Sequence, residues 1–205
     1  MNTSPELIEQ IALNIGDPGM EKVPPATILR RLNQAQIQVA QIIRPKELMA
    51  LKSISWTLGE REYYIAGGVG TGFQITDFLV EVRLLWDGYT MAMRTIKDYD
   101  EHSTGNRTPS FYYLRGAYIG LGDRPPASTK TVRLDYIKKP AILTGAAAET
   151  LDMPFIYHYG IELLATSMID TQNNQWYQKY SYELEQLKFQ SYQSGDSFEL
   201  IPPLA

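Results

Sequence analysis

The spacing of apolar residues changes twice along this chain, and those two changes restrict what it can fold into. From Ser4 to Pro45, and again from Pro154 to Tyr192, apolar residues recur every three or four positions, the period of an amphipathic helix. Between Leu51 and Pro140 the period falls to two, and aromatic and β-branched residues dominate. The order is helix–helix, strands, helix–helix. An outer helical unit built from both chain ends therefore holds an inserted β unit.

In the first segment Ser4 is placed to cap a helix, Pro5 to occupy its first position and Gly16 to close it. Leu7, Ile8, Ile11, Ala12 and Ile15 fall on one face. "DPG" at Asp17–Gly19 reads as a turn. A longer helix starts near Pro25, with Ile28, Leu32, Ala35, Val39 and Ile42 inward and Arg30, Arg31, Asn33 and Gln38 on the other side. Pro45 ends or kinks it, and "KELMAL" adds a helical turn.

The middle opens on "LKSISWTL", which sets Lys52, Ile54, Trp56 and Leu58 against Leu51, Ser53, Ser55 and Thr57. "EYYI", "DFLVEVRLLW", "SFYYLRGAYIGL" and "TVRLDYIKK" follow as strands, with hairpins expected at "RGAY" and at Asp87-Gly88. Helix returns at Pro154, with Ile156, Gly160, Leu163, Leu164, Ser167 and Met168 on one face. Asn173-Asn174 breaks that run. The last helix carries Tyr177, Tyr180, Leu184 and Leu187 on one stripe, with Lys179 and Glu183 spaced to pair. The short turn makes the two helices antiparallel. The expected fold is thus α+β: mainly a helical bundle from residues 1–50 and 150–193, with a small antiparallel β domain inserted at 51–140 and an extended C-terminal tail at 194–205.

Composition narrows the function. Of 205 residues, 44% are hydrophobic and 20% charged, a globular balance. The net charge of −4 argues against a basic grip on nucleic acid. The absence of cysteine removes disulfides, thiolate metal sites and cysteine nucleophiles, and suits assembly in a reducing compartment. "MNTSPELIEQ" lacks the pattern of a secretory signal, and no run of about 18 apolar residues predicts a membrane span. Fourteen tyrosines are the unusual total. Tyrosine joins a stiff apolar body to a polar tip and is enriched at protein interfaces.

Motifs for chemistry are sparse. "AGGVGTGF" at Ala66–Phe73 is glycine-dense, but no Lys follows it and a strand comes next, so it is neither a P-loop nor a dinucleotide fingerprint. It reads instead as a projecting loop made supple by glycine. Asp98, Asp100, Glu101 and His102 match no metal-ligand spacing and read as a solvated acidic loop. His158 reads as a packed or interfacial side chain rather than a ligand. No G-x-S-x-G elbow is present, and Glu60, Glu62, Asp77 and Glu81 offer carboxylates without singling out a catalytic pair. The expectation is a protein without enzymatic activity, metal or cofactor.

"PSFYYLRGAYIGLGDRPPASTKTVRLDYIKKPAIL" resembles the middle signature of the head-to-tail adaptor (connector) proteins of tailed bacteriophages, of the type "P..Y...G..I.L.P.P" leading to a "Y...P..L" strand. "LDMPFIYHYGIELLA" is similar to their succeeding "LP..Y...L...A" motif, and "SISWTL" to the strand opening their β domain. The resemblance covers roughly residues 5–193 and leaves the "AGGVGTGF" loop unmatched. It implies a dodecameric ring in the virion neck, assembled in the host cytoplasm. The portal protein lies on one side, a tail nozzle or tube protein on the other, and DNA passes through an open channel without specific binding. It gives the tail residues Phe198, Leu200, Ile201, Pro202 and Leu204 a portal-binding role. The loops carrying Gly67, Gly68, Gly70, Gly72 and Phe73, and His102, are the expected tail-protein contacts. The alternative reading is a tail-associated peptidoglycan hydrolase.

Overall fold

The structure is a computed structural model that describes residues 3–56, 60, 62–65, 72–95, 97, 108–122 and 130–193, with side chains to residue 189. The chain divides into two compact units, Met1–Leu48 with Lys139–Ala205, and Met49–Lys138.

The first unit contains α1 (Ser4–Asn14), α2 (Pro25–Ile43), α3 (His158–Ile169) and α4 (Asn174–Gln193). Thr3, not Ser4, caps α1: its N–H donates to the Glu6 carboxylate at 2.7 Å. Ser4 is buried, and its N–H donates to the Glu149 carbonyl at 2.6 Å. Gly16 closes the helix with φ +70°, a conformation that glycine adopts without strain. The Asp17 carboxylate then accepts the backbone N–H groups of Glu21, Lys22 and Val23 and shapes the turn into α2.

Helix α2 buries Ile28, Leu32, Ala35, Val39, Ala40 and Ile43, so its stripe ends on Ile43 and leaves Ile42 half-buried. It stops at Arg44, which takes the left-handed conformation (φ 55°) because Pro45 disfavours the helical one. "KELMAL" is therefore not a helical extension: Lys46–Leu48 make one 3₁₀ turn, and a strand begins at Met49. Asn33 is not merely a surface polar residue. Its side-chain amide donates to the Leu143 carbonyl (3.0 Å) and accepts the Leu143 N–H (2.8 Å), while buried Gln36 donates to the Ala141 carbonyl (2.9 Å). The two amides satisfy the backbone of the returning segment as a neighbouring strand would. Helix α3 packs against α1, α2 and α4 and is buried from Gly160 through Thr166. Gly160 permits the close approach to α4, since a Cβ there would lie 3.1 Å from Leu187.

The second unit contains β1 (Met49–Trp56), β2 (Glu62–Tyr64), β3 (Phe78–Trp86), β4 (Tyr89–Thr90), β5 (Ala92–Met93), β6 (Phe111–Arg115), β7 (Tyr118–Leu121) and β8 (Lys130–Lys138). They form two four-stranded sheets, ordered β1-β8-β3-β4 and β2-β7-β6-β5. Asp87 and Gly88, both at positive φ, turn β3 into β4, and Gly116 turns β6 into β7. One buried cluster draws on both sheets, including Trp56, Tyr63, Leu84, Trp86, Ile119 and Leu134. In the second sheet two aromatic rings lie over glycines. A Cβ on Gly120 would run into the ring of Tyr113, its cross-strand partner, and one on Gly122 into Phe111.

These sheets correct the expected fold. The structure is 41% helix and 29% strand, an α+β fold rather than a mainly helical bundle. The physical reason is that the two sheets enclose a core of their own. Nor is the β unit wholly antiparallel, because β5 pairs with β6 in parallel (Ala92 with Phe111, Met93 with Tyr112).

Candidate interaction surfaces

Of the residues expected to contact partners, Phe198, Leu200, Ile201, Pro202, Leu204, Gly67, Gly68, Gly70 and His102 lie outside the described residues, as do Asp98, Asp100 and Glu101. Gly72 forms a bridge with Tyr64, and a side chain there would collide with the Tyr64 carbonyl. Phe73 is fully buried in the sheet core, with its N–H donating to the same carbonyl at 2.9 Å. These two residues anchor the end of the glycine-rich stretch rather than presenting a side chain to solvent.

Several carboxylates of the β unit are held in structural bonds. The Glu62 carboxylate accepts from the Tyr113 hydroxyl (3.0 Å) and from Arg115. Asp77 accepts from the Tyr136 hydroxyl at 3.1 Å, and burial together with that carboxylate pushes the Tyr136 pKa up to about 12. Glu81 sits opposite Tyr136 in the β3–β8 ladder, and the Glu60 carbonyl accepts from the Trp56 indole. Buried Asp135 is flanked by Arg83 at 2.7 Å and Arg133 at 2.8 Å. Among the described residues no group of three or more His, Asp or Glu side chains could hold a metal ion. His158 is packed, as its position suggested: its Nε2 lies 3.0 Å from the Met153 carbonyl, and burial holds its pKa below the usual value.

Glu162 is a second buried ionisable group on α3. Its carboxylate accepts from the Asn14 side chain at 2.8 Å, yet burial raises its pKa above the usual 4.5. A carboxyl raised in the folded state stabilises the fold while protonated. That contribution is complete below about 4.5 and is lost as pH rises from there through the higher folded value. Glu162→Gln keeps an acceptor for Asn14 without the buried charge. Its melting temperature is expected to exceed that of the wild type at neutral pH, and the gap should close as the buffer is taken below pH 4.5.

The surface is where the unusual chemistry lies. A groove of about 470 Å³ between α3 and α4 is lined by Tyr159, Leu163, Gln178, Lys179, Tyr182 and Glu183. Tyr159 and Tyr182 are more than half exposed, as are Phe155, one turn before Tyr159, and Phe189, two turns beyond Tyr182. Lys179 lies over the Trp176 ring, 4.6 Å from its centroid. In the β unit, Tyr89 stands at the β3–β4 turn with 78% of its surface exposed. Large apolar groups left in water at such density mark places where other proteins bind. The sequence spacing of Tyr182 and Phe189 (i, i+7) could have shown this face. The stripe read instead is mostly the inward one: Tyr180 and Leu187 are buried and Leu184 half-buried, while Tyr177 is exposed.

The exposed aromatic faces on α3, α4 and the β3–β4 turn are surfaces of the kind that other proteins bind. The SU10 adaptor protein family model matches residues 2–199, and the chain belongs to that family, a family of phage head-to-tail adaptors. No curated protein matches it. The chain is accordingly a virion protein that contacts other head and tail proteins of a phage. No helix among the described residues is long and apolar enough to cross a membrane.

Proposed function

We propose that identical copies of this adaptor form a dodecameric ring that docks on the portal protein and receives the tail nozzle or tube protein on its other side. The observation that carries this reading is the extent of the family match. It covers residues 2–199, taking in both units and the tail as far as Glu199, with Leu200, Ile201, Pro202 and Leu204 following directly after it. In this reading Phe198, Leu200, Ile201, Pro202 and Leu204 order against the portal. The loops bearing Gly67, Gly68, Gly70 and Gly72, and His102, meet the tail protein, with Tyr89 as a further contact. The net charge of −4 suits a channel wall past which DNA phosphates slide without adhering. Electron microscopy of the purified protein mixed with the portal protein of the same phage tests it. Twelve-fold rings coaxial with the portal are expected, and particles showing bare portals beside unassembled adaptor would overturn the proposal.

A further inference from the structure

Three of the four terminal strands in the β unit are protected in the ways that natural sheets protect their edges. Strand β2 has three residues, and β4 and β5 have two each. The stretch of β3 beyond β4 is broken by two register shifts, between Phe78 and Val80 and between Glu81 and Arg83. Short strands and bulges stop one sheet from templating another. Strand β1 is neither short nor bulged, and its one guard is Lys52, on the same face as Ala50 and Ile54. It runs for eight residues, pairs one-to-one with β8 from Met49–Ile137 to Trp56–Lys130, and contains no proline. Its single charge is Lys52, and Leu51 is 62% exposed. Among the described residues no strand pairs with its outer edge. An edge this long and regular presents a row of backbone donors and acceptors shaped to take another strand.

We infer that in the free protein the β1 edges of two copies pair antiparallel about a two-fold axis at Ser53, fusing two four-stranded sheets into one of eight. The register follows from the residues. Residues directly opposite in such a pair share a face, so an axis that keeps both sheet cores on the same side must pass through a residue. An axis at Lys52 sets two ammonium groups against each other. One at Leu51 leaves Ile54–Trp56 unpaired. One at Ser53 pairs Ala50 through Trp56, placing Lys52 opposite Ile54 and Leu51 opposite Ser55 of the second copy. A second copy is the fitting occupant because the strand is complementary to itself, its one charge never meeting its own image. This inference does not rest on the ring reading. A two-fold contact closes on itself and cannot propagate around a ring, so the pair is a resting state from which docking withdraws copies.

The natural chain has no cysteine, so Ser53→Cys adds its sole thiol. Under mild oxidation the full-length Ser53→Cys protein is expected to form a disulfide-linked dimer far faster than Tyr89→Cys, a control thiol on the distant hairpin. Ser53→Lys, at an exposed position, sets like charges face to face at the axis. It is expected to weaken the dimer about fivefold or more in sedimentation equilibrium. A wild-type protein monomeric throughout the range, equal cross-linking by the two cysteine variants, or undiminished pairing by Ser53→Lys would each overturn the inference. Ring formation on the portal is scored separately. If neither wild type nor Ser53→Lys forms rings there, the ring reading fails while the β1 pair stands.

Discussion

Deletion of residues 197–205 is expected to abolish docking on the portal while leaving the far-ultraviolet circular dichroism of the protein unchanged. The segment carries Phe198, Leu200, Ile201 and Leu204. Full burial of such a side chain contributes about 1.5–3 kcal/mol before the cost of ordering the chain. Loss of even two anchors, about 3–6 kcal/mol, weakens a single contact by two to four orders of magnitude. A ring multiplies the contact across copies, so the truncated protein loses the joint altogether rather than in part. Co-sedimentation with purified portal measures this directly, and full binding by the truncated protein would assign docking to another surface.

Trp56→Ala should be the most damaging single substitution in the β unit. Trp56 is fully buried, its ring lies 3.9 Å from that of Tyr63, and its indole N–H donates to the Glu60 carbonyl at 2.8 Å. Alanine opens a cavity, leaves Tyr63 without its stacking partner and strips the carbonyl of its donor. Truncations of this kind cost about 3–5 kcal/mol, a large share of the roughly 5–15 kcal/mol that holds a domain folded. Denaturant titration followed by near-ultraviolet dichroism should register the loss. A change below about 1 kcal/mol would mean that the two sheets do not depend on this side chain for their core.

The sequence made the element order legible because hydrophobic period is a local property. Leu7, Ile8, Ile11 and Ala12 of α1, and Ile28, Leu32, Ala35 and Val39 of α2, are buried as their spacing required. What stayed hidden depends on partners far along the chain. Asn33 looks like a surface polar residue until the backbone of Leu143 arrives beside it. The parallel pairing of β5 with β6 follows from no local signal either. Tyrosine shows the limit most clearly. Tyr63, Tyr112 and Tyr113 are buried while Tyr89 and Tyr182 stand in water, and identical residues were told apart only by sheet register and helix packing. The β unit was underrated for a related reason. Each strand alone is too short to show that two sheets would close around Trp56 and Trp86. The family likeness was readable in the middle and penultimate motifs, whereas the glycine loop and the tail, which carry most of the expected contacts, offered composition without geometry.

The β unit joins the rest of the chain through β1 and β8, which enter and leave side by side with Met49 opposite Ile137. Tension applied through both connections reaches the near end of that ladder first and opens it one rung at a time, as a zipper opens, instead of shearing all its hydrogen bonds together. Under mechanical load the β1–β8 ladder is therefore expected to give way from its Met49–Ile137 end rather than all at once.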